Sequence, residues 1–343
     1  MRALVINAPK ALEIAERPMP EAGPGEVLVR IERGGICGSD LHYFHHGGFG
    51  TVRLREPMVL GHEIAGTIEA WGKGVAGPPV GTLVAVNPSS PCGVCSFCRE
   101  GQPIHCEDMR FLGSAMRMPH VQGGFAEYVV CRADNAVVLP SHVGAERAAF
   151  CEPLAVCLHA VGQADVYGRR VLVAGGGPIG QLLVMAARFA GAREIVLTDV
   201  VEAPLAFARQ IGADHTINVA DDADKLAAYE VDKGQFDVMF EAAGRGETIA
   251  SGLRLVRPRG TIVLVGQGAV AELQVSAIVT KELRIRGSLR FDREFALAAN
   301  LIGTGRIDVS PLLTATIPLA DAPAAFALAS DKDRSVKVQL AFN

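Results

Sequence analysis

The segment from Val171 to Asp199 restricts the fold of this chain more than any other. It starts with an apolar run typical of a strand, turns at several glycines, continues with helical apolar spacing and ends in a second apolar strand. A glycine motif alone is weak evidence, but a strand before it, a helix after it and an acid about twenty residues further on are the context of a dinucleotide-binding unit. We therefore predict such a unit here, with an ordinary glycine-rich turn as the alternative.

The predicted turn assigns a physical role to each of its small residues. Gly175 permits the tight turn, Gly177 lets the backbone approach a pyrophosphate, and Gly180 lets the helix pack closely on the strand. Pro178 and Ile179 lie between these glycines, where the helix N-terminus presents free N–H groups and a positive dipole end to phosphates.

Asp199 ends the unit and bears on the choice of cofactor. Its carboxylate can accept hydrogen bonds from the ribose of NAD, whereas it would repel the 2′-phosphate of NADP. The five residues that follow contain no cation that would attract a phosphate: Val200, Val201, Glu202, Ala203 and Pro204. The sequence therefore predicts NAD as the cofactor and makes NADP less favourable.

Length and charge limit the class of protein. A chain of 343 residues suggests about two domains. The net charge of −4, the pI near 6.2 and the lack of a dense Lys/Arg run argue against nucleic acid as a partner. The first residues resemble no signal peptide, and no uncharged stretch is long enough to span a membrane. We expect a cytoplasmic protein whose closely spaced cysteines serve metal binding or catalysis rather than disulfides. Cys131, Cys151 and Cys157 lack metal spacing and are expected to be small buried hydrophobic residues.

The apolar pattern changes character along the chain. Up to about residue 140 it alternates as in strands, for example over 26–33 and 81–86, and helical periodicity is scarce. An alanine-rich, helical stretch over 148–163 leads into the nucleotide unit. Strand and helix patterns then alternate, which is typical of a doubly wound parallel sheet. A last strand over 336–340 is expected to rejoin the first domain.

Four cysteines lie close together in a loop rich in proline and glycine. Their spacing is C-x₂-C-x₂-C-x₇-C, at Cys92, Cys95, Cys98 and Cys106. Four thiolates can close a tetrahedral shell around zinc, and such a shell leaves no open position for a substrate. The pattern predicts a structural zinc site, with disulfides as the alternative in an oxidising compartment.

A second metal site has to be assembled from distant residues. The candidates are Cys37, the pair His62 and Glu63, and Glu152 before Pro153. One thiolate, one imidazole and one carboxylate form a mixed shell that leaves a fourth position open for catalysis. Each residue alone also has a purely structural interpretation: Cys37 as a buried thiol, His62 as a core histidine and Glu152 as a carboxylate at a helix start.

These motifs together resemble the zinc-dependent medium-chain dehydrogenases from end to end, and among them the sorbitol dehydrogenase branch. The resemblance rests on the segment around Cys37, the Gly61-His62-Glu63 triplet, the four-cysteine loop, Glu152-Pro153 and the glycine turn. It implies an α/β protein with a GroES-like, β-rich catalytic domain over 1–143 and 291–343. A Rossmann domain with a doubly wound parallel sheet is implied over 144–290, together with two zinc ions per chain, one catalytic and one structural.

The resemblance also implies roles for residues around the catalytic zinc. The third protein ligand is a glutamate, either Glu63 or Glu152. Ser39 and His42 would carry the alcohol proton away, although they also read as a helix-capping hydroxyl and a surface histidine. Gly266 and Gly268 would border the nicotinamide, unless they form an ordinary turn.

The resemblance further implies a substrate pocket lined by Tyr43, Glu152 and Arg290. Because the segments around Asn87, Met116 and Arg290 are similar to bacterial L-idonate 5-dehydrogenases, we expect a sugar acid whose carboxylate could pair with Arg290. Arg110, Arg117 and His120 are competing cations, and each also reads as a solvated charge.

The expected reaction is NAD-linked oxidation of a secondary alcohol on a sugar acid, with L-idonate first. A polyol dehydrogenase acting on sorbitol or xylitol is the nearest alternative. A zinc-free quinone reductase or a non-catalytic nucleotide-binding protein on the same fold is a more remote one. Family members commonly form homo-oligomers, and we expect a homotetramer.

Overall fold

A computed structural model describes residues 1–267 and 270–342 of the chain, and the cofactor residue predicted at Gly268 lies outside them. The described residues form strands that we number in chain order: β1 (Arg2–Ala8), β2 (Ala11–Glu16), β3 (Glu26–Gly35), β4 (Gly48–Phe49), β5 (Val52–Arg53), β6 (Met58–Val59), β7 (Glu63–Trp71), β8 (Leu83–Val86), β9 (Ser89–Ser90), β10 (Arg110–Phe111), β11 (Tyr128–Arg132), β12 (Ala136–Val138), β13 (Arg170–Ala174), β14 (Glu194–Asp199), β15 (His215–Asn218), β16 (Phe236–Glu241), β17 (Val256–Leu264), β18 (Arg284–Gly287), β19 (Leu313–Pro318) and β20 (Lys337–Ala341).

The α-helices are numbered in the same way. They are α1 (Gly38–His46), α2 (Ser96–Arg99), α3 (Gly144–Ala148), α4 (Cys151–Gly162), α5 (Pro178–Phe189), α6 (Glu202–Gln210), α7 (Ala223–Ala227), α8 (Gly246–Leu255), α9 (Val275–Lys281), α10 (Glu294–Gly303) and α11 (Ala322–Ser330). Short 3₁₀ turns cover Pro103–His105, Ala133–Asn135, Ser141–Val143, Ala228–Lys233, Ser310–Leu312 and Leu319–Asp321. Within the described residues, no helix is both long and apolar enough to cross a membrane.

The chain divides into two compact units. Unit 1 comprises Met1–Glu152, Phe295–Asp331 and residues 337–342, and unit 2 comprises Pro153–Glu294 and Lys332–Val336. The division falls inside α4 and inside α10, whereas the sequence analysis placed the domain boundaries near residues 144 and 291.

Unit 1 is built on a mainly antiparallel sheet with the strand order β12-β8-β7-β3-β20-β19, and β11 also pairs with β3. The apolar residues of β3 are buried, as the alternation over 26–33 predicts. The C-terminal strand β20 pairs antiparallel with β3, which confirms that the chain end returns to the first domain. This return brings Lys337 on β20 to the same place as Gly35 and Glu63.

Unit 2 contains a parallel sheet whose order in the described residues is β15-β14-β13-β16-β17-β18. Counted from the first strand of the unit, this is the order 3-2-1-4-5-6 of a dinucleotide-binding fold. Residues 171–174 of β13 are buried on both faces, which explains their continuous apolar run. The strand order reverses between β13 and β16, and the glycine turn follows β13 at this point.

The helix α1 lies in the region where the sequence predicted little helix. Its apolar periodicity is weak because it contains His42, His45 and His46. Hydrogen bonds at its start define it instead: Cys37 is the N-cap residue, and its backbone N–H donates to Oδ2 of Asp40 at 3.0 Å. The helix ends at Gly47, whose φ of 68° is in the left-handed region that glycine favours.

Candidate active site and metal centres

The glycine turn of unit 2 has the geometry that its sequence predicts. Gly175 has a φ of 104°, and a Cβ at Gly180 would lie 1.8 Å from the carbonyl oxygen of Gly175. A Cβ at Gly177, the N-cap of α5, would meet no atom within 4 Å, so this side of the turn is open. Pro178 is the first residue of α5 and Ile179 the second. The free N–H groups of this helix end can therefore face a phosphate.

Asp199 lies at the end of β14 and contacts the glycine turn directly. Its Oδ2 accepts the backbone N–H of Gly176 at 2.6 Å, and its Oδ1 accepts those of Val200 and Val201 at 2.7 and 3.1 Å. A carboxylate has about four acceptor positions, so these contacts fix the side chain and still leave room for a ribose hydroxyl. The position of Asp199 was predicted from the sequence, but its hydrogen bond to the backbone of the glycine turn was not.

Glu241, at the end of β16, is a buried acid that sequence reasoning missed. Its Oε1 accepts the backbone N–H groups of Ala243 and Gly244 at 3.0 and 2.8 Å, while Oε2 has no partner among the described residues. Burial raises the pKa of its carboxyl above the ordinary value. A Cβ at Gly266 would lie 2.8 Å from Oε2, so the glycine predicted there leaves space for this side chain.

The four cysteines of the loop converge. The sulfurs of Cys92, Cys95, Cys98 and Cys106, which we call the cysteine loop, all lie within 4.8 Å of one another. Two backbone N–H groups donate to these sulfurs: that of Cys92 to Cys106 at 3.1 Å and that of Cys95 to Cys92 at 3.4 Å. Such N–H donors stabilise thiolates and are typical outer partners of a metal ligand.

Proton affinities differ within the cysteine loop. Backbone N–H groups, that of Cys98 first, lower the pKa of Cys95 to about 6, whereas burial and the neighbouring thiols raise the pKa of Cys98 to about 12. The loop therefore already favours one thiolate without a metal. Four close sulfurs with N–H donors fit a tetrahedral zinc site.

The second set of predicted ligands also converges, although Cys37 is distant in sequence from the adjacent pair His62 and Glu63. One ligand atom each from Cys37, His62 and Glu63 lies within 4.8 Å of the other two, and we call these three residues the mixed cluster. Cys37 precedes α1, and Glu63 opens β7 opposite Gly35 on β3. The pairing of β3 with β7 thus brings the thiol and the carboxylate together.

Asp40 supports the mixed cluster from the first turn of α1. It is fully buried, accepts the backbone N–H of Cys37 and that of Gly61, and lies with Oδ1 4.0 Å from Nδ1 of His62. Nδ1 of His62 is buried without a hydrogen-bond partner among the described residues. A carboxylate behind a histidine is the usual outer arrangement of a metal site.

Lys337 is a buried partner of the mixed cluster that was not predicted from the sequence. Its ammonium lies between both carboxylate oxygens of Glu63, at 2.8 and 2.7 Å, and also donates to the carbonyl of Ile36 at 3.1 Å. The side chains of this pair are only 3% and 2% exposed. A Cβ at Gly35 would lie 2.1 Å from Oε2 of Glu63, so this glycine makes room for the carboxylate.

Acidic groups around the mixed cluster hold their protons strongly. Burial, with a further contribution from Glu63, raises the pKa of Cys37 to about 12. Burial, together with Glu63 and Cys37, raises the pKa of Glu152 at the start of α4 to about 8. Burial lowers the pKa of Lys337, but the facing Glu63 raises it more, so it lies above the ordinary value. Uncompensated negative charge is thus disfavoured here, and a divalent cation would take the place of these protons.

The predicted proton-transfer residues lie on α1. Ser39 is half-buried in its first turn, and His42, one turn later, is exposed. Partial burial, together with His46 and His45, lowers the pKa of His42 below its ordinary value. His42 is therefore a neutral acceptor over most of the physiological range.

Two predicted substrate residues have different surroundings. Tyr43 is 1% exposed, and its hydroxyl accepts the backbone N–H of Ala115 at 2.9 Å. Arg290, in unit 2, is half-buried with a φ of 48°.

The three competing cations have separate environments. Arg110 is exposed on β10. Arg117 donates to the carbonyls of Met109 and Glu107 and lies 3.5 Å from Asp108. His120 is buried, which contradicts its reading as a solvated charge. The three remaining cysteines, Cys131, Cys151 and Cys157, are buried, as predicted for small hydrophobic residues.

Two family models match the chain. Residues 23–141 match the alcohol dehydrogenase GroES-like domain, and residues 178–304 match the zinc-binding dehydrogenase domain. The first match lies in unit 1, and the second begins in unit 2 at the first residue of α5.

Curated relatives and solved structures agree with these models. The chain is 40% identical to L-idonate 5-dehydrogenase (NAD(P)(+)) of Escherichia coli over 99% of its length and 98% of the relative. It is 35% identical to a probable D-xylulose reductase A of Aspergillus fumigatus, over 94% of the chain and 92% of the relative. The crystal structure of L-idonate 5-dehydrogenase from Escherichia coli superposes with a TM-score of 0.94 over 99% of this chain and 97% of that one, at 40% identity.

Proposed function

The chain belongs to the zinc-dependent medium-chain dehydrogenases, in the sorbitol dehydrogenase branch, and on this premise we propose which alcohol it oxidises and with which residues. The enzyme is an NAD(P)-dependent alcohol or polyol dehydrogenase. We propose that its substrate is a sugar acid, with L-idonate first, and that the reaction is L-idonate + NAD⁺ to 5-ketogluconate + NADH + H⁺.

We propose that Cys37, His62 and Glu63 hold a catalytic zinc and that the cysteine loop holds a structural one. The observation that carries this proposal is the convergence of the three ligand atoms within 4.8 Å. When bound, zinc is a Lewis acid that lowers the pKa of the alcohol and so favours hydride loss. Of the two glutamates left open by the sequence, Glu63 is favoured because its carboxylate belongs to the converging group.

The remaining residues orient groups and move the proton. We propose that Glu152, which is buried and whose pKa responds to His62, Glu63 and Cys37, hydrogen-bonds the substrate hydroxyl. We propose that Ser39 Oγ accepts the hydroxyl proton and passes it toward His42, which is exposed and can release it to water. Tyr43, Glu152 and Arg290 remain the proposed substrate contacts.

We propose NAD rather than NADP as the preferred cofactor, bound by the glycine turn, Asp199 and the segment of Gly266. Asp199 supports this choice because its charge would repel a 2′-phosphate, and Glu202 at the start of α6 adds a second negative charge. The wild-type enzyme is expected to show a higher kcat/KM with NAD⁺ than with NADP⁺. An equal or higher value with NADP⁺ would contradict the cofactor proposal.

The test of substrate class is a panel of L-idonate, D-gluconate, sorbitol and xylitol, followed by absorbance of the reduced cofactor. We expect the highest kcat/KM with L-idonate. The second candidate, a polyol dehydrogenase, is favoured by the similarity to the probable D-xylulose reductase, and equal activity on xylitol would support it. A zinc-free reductase would keep turnover when the metal of the mixed cluster is removed.

We also propose a cytoplasmic homotetramer. All eight cysteines are free thiols, which fits a reducing compartment. In the described part of unit 2, β18 is the last strand of its sheet, and Val275 and Val279 on the preceding helix are 66% and 68% exposed. An open strand edge next to apolar side chains favours self-association. Light scattering coupled to size-exclusion chromatography tests this, and a monomeric mass would contradict it.

A further inference from the structure

Unit 1 contains a cavity whose walls carry several cations. It measures about 210 Å³ and is open to solvent, and its lining includes Arg53, Arg55, Arg117, His120 and Ala115, of which Arg53 and Arg55 are exposed. Among the described residues that line it, none is a carboxylate. We call this cavity the arginine pocket.

The guanidinium groups of the arginine pocket are only partly neutralised. Arg53 donates to the carbonyl of Val52, and the side chain of Arg55 has no hydrogen bond or ion pair among the described residues. Among the described residues, Arg117 is the arginine of this pocket with an ion pair, 3.5 Å from Asp108, and a further carboxylate, that of Glu56, accepts the backbone N–H of His120 at 2.5 Å. Because arginine stays protonated at any physiological pH, the pocket presents a net positive charge to a ligand.

His120 joins the two segments that carry these arginines. It is 4% exposed, its Nε2 accepts the backbone N–H of Arg55 at 2.9 Å, and its Nδ1 lies 2.8 Å from the carbonyl oxygen of Arg117. These partners require the neutral ring with the proton on Nδ1. His120 is therefore a positioning residue that holds the two walls together, and such preorganisation reduces the entropy lost on binding.

The arginine pocket lies near the mixed cluster within the same unit. Ala115 in its wall donates to the hydroxyl of Tyr43, which belongs to the helix that Cys37 caps. Four residues earlier, the ring of Phe111 lies 5.5 Å from that of His62. A four-residue stretch spans at most about 14 Å, which limits how far the pocket can lie from the metal ligands.

We infer that the arginine pocket binds the anionic end of the substrate and so selects an acidic polyol over a neutral one. The inference rests on the proposed function, and it assigns the carboxylate to Arg53, Arg55 and Arg117 in place of Arg290. A planar guanidinium matches a carboxylate with two parallel hydrogen bonds. A phosphate on a sugar would offer the same oxyanion chemistry, and the test separates the two.

The test compares Arg53→Gln/Arg55→Gln with the control Arg132→Gln, an exposed arginine of β11 in the same unit. Each zinc-loaded enzyme is assayed with L-idonate, xylitol, sorbitol and sorbitol 6-phosphate. The double variant is expected to raise the KM for L-idonate at least tenfold with kcat within threefold, and to change the KM for xylitol less than twofold. The control is expected to match the wild type.

Different failures have different meanings. If the wild type prefers L-idonate to xylitol and the double variant keeps that preference, the arginine pocket is overturned while the proposed function stands. If the wild type has no preference for L-idonate, the proposed function itself fails. If the variant loses only a preference for sorbitol 6-phosphate over sorbitol, the pocket serves a phosphate and the carboxylate assignment is wrong.

Discussion

The cysteine loop and the mixed cluster both gather potential zinc ligands, but they are assembled by different means. All four members of the cysteine loop lie between residues 92 and 106, and backbone N–H groups of the loop itself donate to the sulfurs. The mixed cluster draws on two separate segments, and its carboxylate is held by a lysine 274 residues away in sequence, on a third segment. The local site can form with its loop, whereas the distant one exists only when the sheet of unit 1 is complete.

The cysteine loop and the mixed cluster also differ in how their negative charge is compensated. The cysteine loop stabilises a thiolate with N–H dipoles, while the mixed cluster places a full positive charge, that of Lys337, against Glu63. A closed shell of thiolates suits a structural ion, and a mixed shell with an open position suits a catalytic one. We therefore propose that the cysteine loop serves stability and the mixed cluster serves turnover, and variants of each site test this proposal.

The largest effect is expected from Cys37→Ser in the mixed cluster. Loss of the metal removes several kcal/mol of transition-state stabilisation, so kcat/KM should fall at least ~10³-fold. Elemental analysis should show zinc falling from two ions per chain to one. Cys131→Ser, at a buried cysteine of unit 1 outside both clusters, is the control and should keep both ions. A Cys37→Ser enzyme with near-normal turnover would break the assignment.

Lys337→Met should have the largest effect on stability. It leaves the buried Glu63 carboxylate without its partner, so the free energy of unfolding in urea should fall by about 3–5 kcal/mol. The double variant Lys337→Met/Glu63→Gln should recover at least half of the loss, because no buried charge remains. Lys73→Met at an exposed position serves as the control. If the free energy of unfolding of Lys337→Met were no lower than that of the control, the ion pair would not stabilise the cluster.

Cys95→Ser should produce the opposite pattern from Cys37→Ser. Loss of a structural metal is expected to lower the melting temperature by about 5–10 °C, at roughly 2–4 °C per kcal/mol, the range for domains of about 150–250 residues. The kcat of the folded fraction at 25 °C should stay within about threefold of the wild type. Scanning calorimetry and initial rates check both values. Loss of turnover in proportion to zinc would mean that the cysteine loop also serves catalysis.

The smallest effect is expected from a histidine–carboxylate contact outside both sites. Nδ1 of His159 lies 3.2 Å from Oε1 of Glu294. Burial raises the pKa of Glu294, but this contact and the backbone N–H groups of Asp292 and Glu294 lower it more, from 4.5 to about 2. Because the folded pKa is depressed, its stabilisation is complete above about pH 4.5 and is lost as the pH falls through about 2. After allowance for solvent screening, Glu294→Gln should cost about 1–2 kcal/mol at pH 7 and less than half of that at pH 3. A pH-independent difference in urea denaturation would contradict this origin.

Local patterns made part of this molecule predictable. The cysteine spacing and the glycine turn each lie within a short stretch, so the sequence alone indicates what they form. The parallel sheet was predicted from alternating strand and helix patterns, although β15, α7 and α9 were not predicted because their apolar segments are short. The helix α1 was not predicted because capping hydrogen bonds, rather than apolar spacing, define it.

The members of the mixed cluster could be proposed only one by one, and Lys337 could not be connected to them at all. The sequence did show that Lys337 is a charged residue between Val336 and Val338, in a strand expected to be buried. A buried charge requires a partner, yet the register of β20 against β3 decides which one it meets. His120 was ambiguous for a similar reason, since its role depends on the backbone groups of Arg55 and Arg117.

The most direct test of the account is anomalous diffraction at the zinc edge from crystals of the active enzyme. We predict two peaks per chain: one among the four sulfurs of the cysteine loop, and one bounded by Cys37, His62 and Glu63. Crystals of the Cys37→Ser variant should keep only the first. An active wild-type enzyme with no peak at the mixed cluster would contradict the assignment of catalysis to that site.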